Sequence, residues 1–156
     1  MTGRRTRGGS IAALAACLLA LAGCGNDKVR ANNAYVAATD RVMQRFNTQF
    51  QALQSEFTAV STPKQDLVTL SRLQDTVDRA AAQLGRVKPP SSIAGLHRTL
   101  VARLRSYDAA IATARTGFRV ADPAKVAAAR TAFSTRLAAV GTAIMATINT
   151  INARLR

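Results

Sequence analysis

Apolar side chains recur along this chain at steps of three, four and seven residues, and proline clusters break the pattern at three places. That period is helical rather than extended, because it gathers the apolar residues onto one stripe of a 3.6-residue turn. The first stripe, Tyr35, Val42, Phe46, Phe50, Leu53, Phe57 and Val60, predicts a helix over about 33–60. Leu67, Leu70, Leu73, Val77, Ala81 and Leu84 predict a second over 63–87. A third, over 92–119, carries Ile93, His97, Leu100, Leu104, Tyr107, Ile111, Ala114 and Phe118 at alternating steps of four and three, a continuous heptad seam. Val126, Phe133, Leu137, Val140, Ile144, Ile148, Ile151 and Leu155 predict a fourth over 123–154.

The breaks carry the chemistry that starts helices. Thr62 precedes Pro63 and Asp122 precedes Pro123. Each proline then occupies a first turn where its missing N–H costs nothing, and the residue ahead can cap with a side-chain oxygen. Lys88-Pro89-Pro90 stops the second helix, since two consecutive prolines cannot continue one, and Ser91 or Ser92 is placed to cap the third. Connections this short join antiparallel neighbours. The expected fold is all-α, an antiparallel up-down-up-down four-helix bundle with helices on the order of 35 to 48 Å long. Burying the four stripes together, at about 25 cal/mol per Å² of apolar surface, is what must offset the chain entropy.

The segment ahead of the bundle follows a different logic. Arg4, Arg5 and Arg7 precede an apolar run from Ile11 to Ala22, too short to span a bilayer as a helix. The run ends in Leu21-Ala22-Gly23-Cys24, which resembles the lipobox of bacterial lipoproteins. Arg4-Arg5 is followed by Thr6-Arg7-Gly8-Gly9, a departure from the twin-arginine pattern that favours export in the unfolded state. The resemblance implies a signal peptide over 1–23, cleaved ahead of Cys24, with a diacylglycerol on the Cys24 thiol and acylation of the new amino terminus. It also implies residence at the extracytoplasmic face of the cell membrane. Residues 24–32 would then be the lipidated cysteine and a short tether, and 33–156 the bundle. Cys17 would leave with the signal, so the mature chain could form no internal disulfide. The Pro89-Pro90 break followed by Leu96-His97 is similar to small uncharacterised helical-bundle lipoproteins of actinobacteria, a likeness that carries no activity.

Composition removes most catalytic chemistry from the expectation. The chain holds one histidine, His97, and Glu56 is its one glutamate, whereas zinc and di-iron sites need several such ligands together. No nucleophile elbow, phosphate-cradling glycine loop or Cys-x-x-Cys pair occurs. The expectation is therefore a protein that is not an enzyme and takes no metal or cofactor. His97 and Tyr107, both on the third seam, are candidate ligand contacts; their alternative is a half-buried histidine and a rim tyrosine satisfied by ordinary partners.

Charge adds a surface. The whole chain has a formal net charge of +14, and from Cys24 onward 19 Lys and Arg face 8 Asp and Glu. The excess lies in the second half, where Ser91–Arg156 holds 10 basic and 2 acidic residues. Asp75 and Arg79 have the spacing of a helical ion pair, a partner most arginines of the last two helices lack. In the expected topology Lys28, Arg30, Arg86, Lys88, Arg98, Arg154 and Arg156 share the end nearest the anchor, with Asp27 the one carboxylate nearby. Without stacking aromatics among the arginines nucleic acid is not an expected partner. An anionic lipid surface, a wall polymer or an acidic envelope protein is. The function expected is a membrane-tethered binding or scaffold module of the cell envelope. The alternative is a carrier or sensor holding a small hydrophobic or anionic ligand between helices near His97 and Tyr107.

Overall fold

The computed structural model describes residues 23–58 and 60–156, with side chains placed from Asn26 onward. The segment 1–22, with Arg4, Arg5, Arg7, Cys17, Leu21 and Ala22, lies outside the described residues. Four long helices account for nearly all the rest: α1 (Gly23–Gln54), α2 (Pro63–Gly85), α3 (Ala94–Phe118) and α4 (Pro123–Leu155). No strand occurs among the described residues.

Two helix starts follow from the cap-plus-proline device. Thr62 accepts from the Gln65 amide at 3.3 Å while the Gln65 side chain accepts from the Thr62 amide at 2.8 Å, a reciprocal capping box with Pro63 in the first turn. The Asp122 carboxylate accepts from the amides of Ala124 and Lys125 at 2.8 and 3.3 Å. The third start differs from expectation, because neither serine caps it. Ser91–Ile93 form one 3-10 turn closed by the Ile93 amide on the Pro90 carbonyl, and α3 proceeds from there with no side-chain cap.

The bounds of α1 also differ from the expected 33–60. The helix begins at Gly23, so residues 26–32 are helical where a tether was expected. Nothing after Gly25 breaks the run: Asp27 to Ala34 contains neither glycine nor proline, and Tyr35 anchors the continuation by burying its ring. At the other end α1 stops at Gln54, because Thr58 and Ser61 offer the backbone a competing pattern. The Thr58 amide donates to Ser61 Oγ at 3.2 Å and the Ser61 amide to Thr58 Oγ1 at 3.1 Å. Val60, expected in the stripe, is 90% exposed in this turn, while Phe57 swings into the core between Phe118 and Phe133.

The largest packed faces are α3 on α4, α3 on α2 and α1 on α2. α3 therefore sits between two neighbours, and all of its seam from Ile93 to Phe118 is buried. α1 reaches α3 through aromatic rings, Phe46 and Phe50 stacking on Tyr107 with centroids 5.8 and 4.7 Å away. At Gly117 α3 and α4 come close together: a Cβ placed there would lie 2.5 Å from that of Ala129. α4 alone among the described helices is long and apolar enough to cross a membrane, with a mean hydropathy of 1.2 over its best window, of which 17% is buried. Its buried residues, Val126, Phe133, Leu137, Ile144, Thr147 and Ile151, form one stripe, and its outer face is rich in Ala and Thr.

Candidate functional site

Side-chain contacts bring the start of α1 together with the end of α2, the start of α3 and the end of α4. The Asn32 amide group donates to the Leu155 carbonyl at 3.0 Å, tying α1 to α4. Tyr35 on α1 meets His97 on α3, with Oη and Nδ1 3.1 Å apart. His97 thereby links α1 to α3 and is only 5% exposed. Burial pushes its pKa below the ordinary histidine value, and the nearby Leu84 backbone offsets part of that fall. Burial raises the Tyr35 pKa, with the nearby Thr39 hydroxyl countering it in part; Thr39 Oγ1 is itself buried without a hydrogen-bond partner of good geometry.

Tyr107 belongs to a different neighbourhood. It stands ten residues along α3 from His97, about 15 Å of helix, and its ring is buried among Phe46 and Phe50, which raises its pKa by desolvation. Gly141 faces its hydroxyl: a Cβ there would lie 3.5 Å from Oη. The two candidate ligand contacts are therefore not brought into one site. The groove beside the His97 staple, between α1 and α2, reaches Tyr35 but is not lined by His97 or Tyr107.

All seven residues of the predicted basic set, Lys28, Arg30, Arg86, Lys88, Arg98, Arg154 and Arg156, are exposed. The contacts above draw the turn holding Lys28 and Arg30 towards α2's Arg86 and Lys88 and towards the last turn of α4. A Cβ placed on Gly95 would lie 3.9 Å from the Arg98 guanidinium. None of the seven is in an ion pair among the described residues, where the pairs are Glu56–Arg72 and Asp66–Arg130. The expected Asp75–Arg79 pair is not among them; the Arg79 guanidinium donates to Thr76 Oγ1 at 3.2 Å instead. Nor do three or more His, Cys, Asp or Glu side chains converge as a metal site among the described residues.

The opposite end holds a polar network that sequence reasoning missed. Asp66, 1% exposed, accepts from Ser61 Oγ at 2.7 Å and from Arg130 Nε at 2.8 Å, while Arg130 Nη2 donates to the Ser61 carbonyl. Nearby, Glu56 accepts from Arg72 and from Thr69 Oγ1, each at 2.8 Å. The signal was present in the heptads. Asp66 continues the seam Leu70, Leu73, Val77 backwards, and Arg130 sits between Val126 and Phe133 on the seam of α4. Opposite charges on two core stripes point to each other.

Comparison of the chain with protein-family models, with curated proteins and with solved structures finds no match in any of the three.

Proposed function

We propose that this chain is a lipid-anchored protein of the cell envelope. It is read as an antiparallel up-down-up-down four-helix bundle held at the extracytoplasmic face of the membrane by a diacylglycerol on Cys24. Its role is that of a non-enzymatic binding or scaffold module, with the basic end turned to anionic lipid, wall polymer or an acidic envelope protein. The observation that carries the reading is Leu21-Ala22-Gly23-Cys24 at the end of an arginine-led apolar run. Two features of the bundle support it. The contacts Asn32–Leu155 and Tyr35–His97 are ones that an up-down-up-down order makes at the anchored end. The exposed cations of that end are in no ion pair among the described residues. Each basic residue beside an anionic surface contributes about 1 kcal/mol, so the set orients a bundle that the acyl chains hold.

The alternative, a carrier of a small ligand at His97 and Tyr107, has less support, since both rings are occupied by protein partners and lie about 15 Å apart along α3. The test of the anchor is metabolic labelling with an alkyne fatty acid in a bacterial host that processes lipoproteins. Wild type takes up label and loses the mass of residues 1–23, whereas Cys24→Ser stays unlabelled and unprocessed. An unlabelled wild type overturns the reading.

A further inference from the structure

The end of the bundle nearest Cys24 carries a groove that neither the core nor the polar network uses. It runs between α1 and α2, with Ala31, Ala34 and Ala38 on one wall, Val87 opposite, and Arg86 and Lys88 at the rim. Its volume, 460 Å³, falls within the roughly 300–1,000 Å³ of small-ligand sites. The floor is mostly apolar, and small side chains leave it open where the Tyr35 ring turns inward to His97. The rim is cationic: Arg86 and Lys88 are exposed and in no ion pair among the described residues, and Lys28 and Arg30 stand on the preceding turn of α1. Asp27 is the nearest carboxylate on that wall, one turn before Ala31, and it pairs with none of them.

An apolar floor under two unpaired cations suits an amphiphile with an anionic head. A free inorganic anion would use the rim alone, and a neutral lipid the floor alone. Height selects among amphiphiles. Ala31 lies seven residues beyond Cys24 on the same helix, roughly 10 Å at 1.5 Å per residue. The headgroup layer of one leaflet is about 5–8 Å deep. A thiol whose diacylglycerol is in the bilayer would therefore set Ala31 just above the headgroup layer, so that the cations of the lower rim, rather than the whole groove, meet the neighbouring headgroups.

We propose that this groove binds an anionic membrane phospholipid, its phosphate between Arg86 and Lys88 and its glycerol-ester shoulder beside Ala31, the wall residue nearest the bilayer. The site gives the basic end one defined contact in place of a diffuse attraction, and with it a fixed rotation of the bundle about its anchor. This proposal rests on the lipid-anchored reading for how the groove meets the bilayer.

The experiment is native mass spectrometry of the full chain produced in bacterial membranes, extracted in mild detergent and supplied with phosphatidylglycerol. Retained phospholipid reports the groove, and the mass of the protein itself reports the modification of Cys24, so the two readings fail separately. Retention is expected to fall about tenfold in Arg86→Glu/Lys88→Glu, which reverses two cations at the site. It should fall as far in Ala34→Trp, which fills the floor from an exposed position without changing charge. Arg103→Glu/Arg105→Glu, with the same net charge on exposed mid-α3 positions, should retain the lipid as wild type does. Retention that survives Ala34→Trp, or that falls equally in the α3 variant, overturns the groove, as does a wild type that arrives bare. Retained phospholipid on a chain with unmodified Cys24 upholds the groove and overturns the anchor.

Discussion

Replacing Arg130 with methionine is the sharpest test of how the bundle is held, because it keeps most of the side-chain volume and removes the charge together with its hydrogen bonds. In the native chain Arg130 bridges α4 to the turn between α1 and α2: Nε bonds Asp66 at 2.8 Å, and Nη2 reaches both the Asp66 carboxylate and the Ser61 carbonyl. Without it Asp66, whose side chain is 1% exposed, keeps only the 2.7 Å bond from Ser61 Oγ. Breaking a buried pair from one side costs about 3–5 kcal/mol. The Arg130 side chain retains 23% exposure, so water can partly replace it and the low end, about 3 kcal/mol, is expected. Unfolding entropy near 2.1 cal/mol/K per residue, over roughly 130 residues, turns that into a fall in Tm of about 11 °C. Asp66→Leu/Arg130→Met removes both charges and should recover most of the loss, since an apolar pair of similar volume matches a buried ion pair. Urea denaturation of the four proteins in the double-mutant cycle measures the coupling. A cost below about 1 kcal/mol for Arg130→Met, typical of a solvent-screened surface pair, would refute the argument.

Two further outcomes follow from single positions. Gly117→Ala should destabilise despite a helix-propensity gain of about 1 kcal/mol, because the added Cβ meets that of Ala129 at 2.5 Å and neither atom can rotate away. A net loss of about 1–2 kcal/mol in the urea midpoint is expected, with Ala129→Gly in the same chain restoring it. No restoration would mean that the α3–α4 contact is not the cause. His97, the one histidine, has a lowered pKa in the folded chain, so between that value and about 6.5 the unfolded chain binds the proton that the folded chain refuses. Its stabilising contribution is complete above about pH 6.5 and is lost as pH falls through the folded value. Wild type should therefore lose stability more steeply than His97→Gln on going from about pH 7.5 to 5; parallel profiles would show that the imidazole does not titrate against burial.

How much of this was legible in the sequence depended on whether a residue's fate is set by its own helix. The α3 seam was readable because a heptad buried on two sides admits few exceptions, and Thr62-Pro63 and Asp122-Pro123 were readable because capping is local. The end of α1 was not. Phe57 and Val60 fit the stripe equally well, and only the Thr58–Ser61 turn, tightened by Arg130 from α4 and by Asp66, decides that Phe57 goes in and Val60 out. The caps proposed at Ser91 and Ser92 failed for a similar reason. Ile93 is 1% exposed, and burying it directs the chain through a 3-10 turn that leaves both serines in solvent. His97 was visible as a polar residue on an apolar seam, but its partner Tyr35 comes from another helix.

The two ends of the bundle divide structural from surface chemistry. At the end remote from Cys24, Asp66 with Arg130 is turned inward at the α1–α2 turn and Glu56 pairs with Arg72 on the surface beside it, with Phe57, Phe118 and Phe133 packed behind. At the other end the inward polar bonds are those of Asn32 to Leu155 and of Tyr35 with His97. The cations there stay exposed and in no ion pair among the described residues, as do Lys64, Arg119 and Lys125 at the remote end. A bundle free in water gains little from unpaired like charges gathered at one end, since they repel. Set against an anionic surface, the same repulsion is relieved, and an end already closed by those bonds need not rearrange to meet it. The proposed anchor at Cys24 and the groove under Arg86 and Lys88 both belong to that end, so an anionic surface met there would find cations for which no carboxylate competes among the described residues.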